Sequence, residues 1–425
     1  MTDAIWRIRI GGEVLSLEGS LQLHRELTRF LPAGAVLALS VALGACAAVT
    51  PRVGIADGAT ANLAEFAGQP GIRFWGDEVP ADIKDEVRRK LPNMPRLAQG
   101  ASVRKGRPKV EILALSGGGG DGAFGAGLLK GWSSRADRPE FEVVTGVSAG
   151  AIIAPFAFLG SDYDDELEEI WTHYRTSQIV TAQILPGLLG GSALADSQPM
   201  ADLIAQYVDK KLLRRVAQEY MRGRILLIGT TNLDAQRPVV WNMGEIARSR
   251  HPHALELFRK VILASAAIPG AFPPVEIPVQ VGTEQFTEMH VDGGTTREIF
   301  VSPVQAPFRA FDALYPKPPT RQLFLVTNMK VTPEQDVVKA QTIPIAARAI
   351  STLIKSQSQG QVYRIYRMAK DDGVDFNYIA VPPGFDGKAN EFFDPEYQRA
   401  LFNEGVRLGA SGTAWMKTPP QGWRD

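Results

Sequence analysis

Strands that alternate with helical stretches predict an α/β protein, a three-layer α/β/α domain on a mainly parallel central sheet. Three observations carry this. Short apolar runs rich in β-branched residues stand at 110–115 (VEILAL), 224–229 (RILLIG) and 322–327 (QLFLVT), the length of buried strands. Between them, Phe124, Leu128 and Trp132 recur at helical spacing, and further helical patterns cover 200–208, 254–266 and 342–370. Two strand-to-helix junctions are marked by glycine, at 116–122 and 145–150. Less regular runs at 238–242 and 377–381 add two further strands.

Composition narrows the chemistry. The 46 Lys and Arg balance 46 Asp and Glu, so no excess positive field recruits a phosphate backbone and nucleic acid is not an expected partner. One cysteine makes neither an intrachain disulfide nor a multi-cysteine zinc site, and there are five histidines. Catalysis is therefore expected to rest on oxygen groups, without a metal or cofactor.

The chain divides in order into 1–46, 47–108, 109–330 and 331–425. From Phe30 to Val49 no residue is charged, with Arg25 and Arg29 before the run and Arg52 after it. The run is rich in Ala and Gly and carries Pro32, which suits a cleaved signal better than a permanent span. Leu43-Gly44-Ala45-Cys46 resembles the lipobox of bacterial lipoproteins. That resemblance implies diacylation of Cys46 as the mature N-terminus, a membrane partner through the lipid anchor, and residues 1–20 as an extension from an upstream start. Ala47 and Ala48 lack the Asp that commonly retains such proteins at the inner membrane, so the implied location is the periplasmic face of the outer membrane. Residues 47–108 read as a tether, with an amphipathic helix at 80–91 from Ile83, Val87 and Leu91.

The strand at 110–115 runs into Ser116-Gly117-Gly118-Gly119-Gly120-Asp121-Gly122 and then a helix. Residues without Cβ let backbone N–H groups converge at a helix N-terminus, where an anion is stabilised. A P-loop would need Lys and Ser or Thr after the last glycine, whereas Ala123-Phe124 follows Gly122. Gly117, Gly119 and Gly122 do keep the G-x-G-x-x-G spacing, with Glu140 or Glu142 about 20 residues on, which leaves a nucleotide-binding reading open. The next strand ends in Gly146-Val147-Ser148-Ala149-Gly150, a G-x-S-x-G at a strand-to-helix turn. Small residues flank such a serine because the turn is sharp and projects Oγ at the helix N-terminus. For the base, Ser148, Asp234 and His290 would make a triad in α/β-hydrolase order. The alternative is Asp292 in Met289-His290-Val291-Asp292-Gly293-Gly294, where an apolar approach ends in a glycine turn.

These motifs resemble the patatin-like phospholipases: a glycine-rich oxyanion loop, G-x-S-x-G, and a later Asp-Gly-Gly, in that order over about half the chain. The segment 264–275, ASAAIPGAFPPV, also resembles the family's alanine-and-serine stretch closing in Phe-Pro-Pro. The resemblance implies a patatin-like fold and a lipid acyl hydrolase using a Ser-Asp dyad without histidine. The nucleophile falls on Ser148, the base on Asp292, and the oxyanion role on Gly117, Gly118, Gly119 and Gly122. Phospholipid or another acyl ester is the implied substrate. Asp121 stands where many members carry Arg, and Pro155 lies early in the helix after the nucleophile. A noncatalytic lipid-binding envelope lipoprotein is the rival reading.

The acidic cluster at 162–169 is explained by Ser161 as an N-cap with acids in the first helical turn, without a metal. Residues 179–194 are too apolar for a solvated connection and would line an acyl groove or move as a lid. His173 reads as a capping or surface residue.

Overall fold

Runs that are apolar at every position become strands covered on both faces, and those of parallel sheets are of this kind. A computed structural model of the chain describes residues 52–66, 69, 71–78, 103–104, 107–182, 192–193, 195–302, 306–315 and 317–420. Its strands are β1 (Arg73–Trp75), β2 (Val103–Arg104), β3 (Arg107–Leu115), β4 (Val143–Val147), β5 (Thr181–Ala182), β6 (Ala195–Asp196), β7 (Ile225–Asn232), β8 (Arg237–Asn242), β9 (Val275–Val281), β10 (Glu284–Asp292), β11 (Thr320–Lys330) and β12 (Asp375–Val381). The helices are α1 (Gly58–Asn62), α2 (Gly122–Ser133), α3 (Ala149–Leu159), α4 (Asp164–Thr172), α5 (Thr176–Ile179), α6 (Gln198–Tyr207), α7 (Lys210–Met221), α8 (Met243–Arg248), α9 (Ala254–Ser265), α10 (Thr342–Asp371) and α11 (Pro395–Ser411).

The main sheet runs β1-β8-β7-β4-β3-β11-β12. Its centre, β7-β4-β3-β11-β12, is parallel, while β8, β1, β10 and β9 pair antiparallel. Along β3 the period-2 alternation splits the core in two. Leu113 and Leu115 join the packing of α2, α3, α9 and α11 on one face. Val110, Ile112 and Ala114 turn to the other, where Val362, Ile365 and Ala369 of α10 cover them. Three layers result.

Residues 331–425 contribute to this same body. Val53–Asp425 form one compact unit, so the boundaries expected at 108/109 and 330/331 fall inside it. Strand β12 extends the sheet beside β11, and α11 lies on α2. Four glycines permit that crossing. A Cβ at Gly127 or Gly131 would come within 3.0 Å of the backbone at Phe402 or Val406, and one at Gly405 or Gly409 would do the same to α2. Sequence periodicity did not reveal α11, α7 or β9.

Other expectations meet the structure unevenly. The acids at 162–169 do open a helix, but Ser161 starts a short 3₁₀ turn and the residue capping α4 is Tyr163, without a side-chain cap. Asp164 pairs with Arg138 at 2.6 Å and Asp165 with Lys130 at 2.8 Å, while Lys130 also bonds Glu168. These two cations pair with three of the six acids, Asp164, Asp165 and Glu168. Pro155 sits inside α3, which continues to Leu159. Residues 181–182 of the 179–194 segment pair antiparallel with residues 195–196 just beyond it, as β5 and β6. Cys46, the apolar run around it, the 80–91 helix and most of the proposed lid lie outside the described residues. Among the described residues no helix is long and apolar enough to cross a membrane.

Candidate active site

The site is assembled where the parallel strands end. Strand β4 stops at Val147, and Ser148 caps α3 with φ 52° and ψ −122°. A serine at positive φ is strained by roughly 1–3 kcal/mol, so its surroundings must hold it. A Cβ on Gly146 would lie within 3.0 Å of the Gly150 carbonyl, and one on Gly150 within 3.0 Å of the Leu115 and Ser116 carbonyls. The two glycines of G-x-S-x-G are therefore required by backbone contact. The Ser148 N–H donates to Ser265 Oγ at 3.0 Å, and Ser265 donates in turn to the Gly229 carbonyl at 2.6 Å. Ser265, on α9, thus pins the turn to β7.

Asp292 reaches the serine through strand register. Strand β7 pairs with β4 up to Gly229, opposite Val147, and from Thr230 onward the same edge pairs with β10. Thr230 faces Asp292, so the aspartate stands one step beyond the end of the strand that delivers Ser148. Its N–H donates to the Ala267 carbonyl at 2.9 Å, and its Oδ1 accepts from the Gly294 N–H at 2.7 Å. The Ser148 side chain lies beside this carboxyl and favours its charged form. Burial pushes Asp292 up to about 7, against the lowering effect of Ser148 and of the Gly294 hydrogen bond. A carboxylate with that affinity for a proton is a usable base near neutral pH.

The glycine loop supplies donors unequally. Ser116 ties it to β11: Oγ accepts from the Asn328 N–H at 2.8 Å, and the Ser116 carbonyl accepts from Asn328 Nδ2 at 2.8 Å. The expected set of four glycines divides. The Gly117 N–H is already given to the Glu298 carbonyl at 3.2 Å, and the Gly122 N–H to the carbonyls of Gly119 and Gly120. Neither can serve a ligand. The N–H groups of Gly118, Gly119 and Gly120 have no acceptor among the described residues, and all three line the chamber that contains Ser148. Gly120 replaces Gly117 and Gly122 as a candidate donor, because the 3₁₀ turn at 119–121 leaves its N–H free.

Asp121 lines the same chamber as Ser148, held there by Tyr397. Tyr397 of α11 donates its hydroxyl to Asp121 Oδ1 at 2.7 Å. Surrounding protein pushes the Asp121 carboxyl up to about 6, opposed by that hydrogen bond. The chamber itself has a volume of about 660 Å³. Ile268 and Ala271 form part of its wall, and the first half of α10 contributes Ala346, Ala347, Ile350 and Ile354. Such a surface suits an acyl chain better than a polar ligand.

One carboxyl in the chamber carried no signal in the sequence. Glu298 is 2% exposed, and its Oε1 is buried without a hydrogen-bond partner. Burial and then the neighbouring Asp292 charge hold it well above the usual carboxylate range.

The competing assignments are not assembled. His290 is fully buried, with Nδ1 3.0 Å from Thr230 Oγ1 and Nε2 3.1 Å from Glu288 Oε2, and Asp234 Oδ2 accepts from the Met289 N–H at 3.1 Å. Both ring nitrogens are thus engaged away from Ser148, and the Ser148, Asp234, His290 triad does not form. Burial also lowers the pKa of His290, with Glu288 opposing. The nucleotide reading fails on topology. Glu142 precedes β4 and accepts from the Glu111 N–H at 2.6 Å, at the opposite strand ends from the glycine loop. His173 ends α4. Among the described residues no group of His, Cys, Asp and Glu is placed to hold a metal ion.

A family model described as Patatin-like phospholipase matches residues 113–304, from inside β3 to just past Glu298. Among solved structures the chain is similar to VipD from Legionella pneumophila, at 10% identity over 71% of this chain and 67% of that one, with a TM-score of 0.34. No curated protein matches.

Proposed function

We propose, from the match of residues 113–304 to a family model described as Patatin-like phospholipase and from the geometry of the site, that this chain is a serine hydrolase of lipid acyl esters that works through a Ser148-Asp292 dyad. The observation that carries the reading is the placing of Ser148 beside a buried, basic Asp292, with unpaired glycine-loop N–H groups in the same apolar chamber. Asp292 takes the Ser148 proton as Oγ attacks the ester carbonyl. The N–H groups of Gly118, Gly119 and Gly120 receive the oxyanion, and the departing alcohol takes the proton from Asp292. Water then gives its proton to Asp292 and attacks the acyl carbon, and Oγ recovers the proton as the carboxylic acid leaves. The substrate class is phospholipid or another acyl ester whose chain lies along α10.

Placement belongs to the same proposal. Diacylated Cys46 on the periplasmic face of the outer membrane would keep the site near membrane substrate and raise its local concentration. A mature N-terminus at unmodified residues upstream of Cys46 would remove this part alone.

A fluorophosphonate probe tests the chemistry. Wild-type protein should be labelled on Ser148, and Ser148→Ala and Asp292→Asn should each lose ester turnover by about 10³-fold or more. A folded wild-type protein that binds lipid in the chamber but resists the probe and hydrolyses no ester would instead be a lipid-binding protein.

A further inference from the structure

Glu298 poses a physical problem. A carboxyl fully removed from water is costly unless it is paired, and an apolar side chain of similar size would fill the space more favourably. Yet no cation hydrogen-bonds Glu298 among the described residues, and Oε1 has no partner of any kind. Buried polar groups left unsatisfied in this way call for a ligand or a catalytic role.

Its position identifies the ligand. Glu298 Oε1 and Ser148 Cβ both lie within 3.0 Å of the point where a Gly117 side-chain carbon would sit. At the equivalent point on Gly294, Glu298 Oε2 is within 3.0 Å and Asp292 Oδ1 is at 3.1 Å. The carboxyl therefore spans the gap between nucleophile and base, one oxygen toward each. Its main chain is locked to the glycine loop through the Gly117 N–H. Burial and the Asp292 charge favour its neutral form, in which it can accept one hydrogen bond and donate another without adding charge.

The hydrolytic step needs such a group. Once Ser148 is acylated, its Oγ has no proton to offer Asp292, and the incoming water must direct one O–H to Asp292 and a lone pair to the acyl carbon. Its second O–H needs an acceptor close to both. We propose that Glu298 is a catalytic residue of deacylation, holding the attacking water through Oε1. In the step it supports, the water O–C bond forms as one water proton passes to Asp292. The C–Oγ bond then breaks, Oγ takes that proton, and the carboxylic acid departs; Glu298 gains and loses nothing.

This rests on the Ser148-Asp292 reading, and the test separates the two. Glu298→Met removes the acceptor at similar size, and Glu298→Gln retains a carbonyl oxygen. Fluorophosphonate labelling reports the first half-reaction alone, while p-nitrophenyl ester turnover reports both. For Glu298→Met the expected results are labelling of Ser148 within about threefold of wild type, steady-state turnover lower by about 10²-fold, a burst of one p-nitrophenol per enzyme, and an acyl adduct on Ser148 by intact mass. Glu298→Gln should stay within about fivefold of wild-type turnover, which a loss of folding or packing would not restore. Unchanged turnover in Glu298→Met would overturn the proposal, as would labelling that falls in step with turnover and no acyl adduct. Wild-type protein that is not labelled on Ser148 would remove the hydrolase reading, and this assignment with it.

Discussion

Replacing Asp292 by Asn should abolish turnover and stabilise the fold, with a stability gain that depends on pH. Burial raises the folded-state carboxyl to about 7, against about 3.9 for an unfolded chain. Between these values the folded protein holds a proton that the unfolded chain has released, so stability falls as pH rises through the window and levels off above pH 7. At about 1.4 kcal/mol per unit, the shift of about three units costs the wild-type protein about 4 kcal/mol above pH 7 and almost nothing near pH 4. Asparagine carries no such cost and keeps an oxygen for the Gly294 N–H. Its new NH₂ group is less well satisfied, taking back about 1 kcal/mol. Thermal unfolding of wild type and variant from pH 4 to pH 8 measures the difference. The Tm gap should move from about −1 °C at pH 4, where only the NH₂ penalty is felt, to about +4 °C at pH 8, given roughly 1–2 °C per kcal/mol for a body of this size. Equal gaps at pH 5 and pH 8, or a variant less stable than wild type at pH 8, would mean that Asp292 is not a desolvated base.

Three further outcomes follow from named contacts. Gly150→Ala drives a Cβ into the Leu115 and Ser116 carbonyls, so it should lose about 1–3 kcal/mol of stability and at least tenfold in fluorophosphonate labelling, read by Tm and labelling rate. Tyr397→Phe strips the hydroxyl from Asp121 and should cost about 1–3 kcal/mol at pH 8. The cost should shrink below pH 6, where the Asp121 carboxyl is protonated, and unfolding at the two pH values checks this. His290→Gln disturbs the Thr230 and Glu288 contacts and should lower Tm while leaving turnover within about fivefold. A loss beyond 10²-fold in a folded variant would restore histidine to the mechanism.

The sequence by itself determined the order of the parts: strand, glycine loop, helix, serine turn, and later an aspartate before two glycines. These are legible because their cause is local. Ser148 adopts positive φ, and Gly146 and Gly150 are needed where backbone meets backbone, so the residue types record the geometry directly. Tertiary structure alone decided which groups are free and which meet. The glycines at 117 and 122 look no different from those at 118–120, yet their N–H groups are occupied by the Glu298 carbonyl and by the 3₁₀ turn. Ser265 supports the Ser148 turn across 117 residues of sequence, and Tyr397 holds Asp121 across 276. Helix α11 was hidden because Gly405 and Gly409 weaken a helical pattern, and only the approach of α2 explains them. Glu298 reads in sequence as any charged loop residue. Its chemistry comes from burial beside Asp292, and burial is a property of packing between distant segments, which no local pattern encodes.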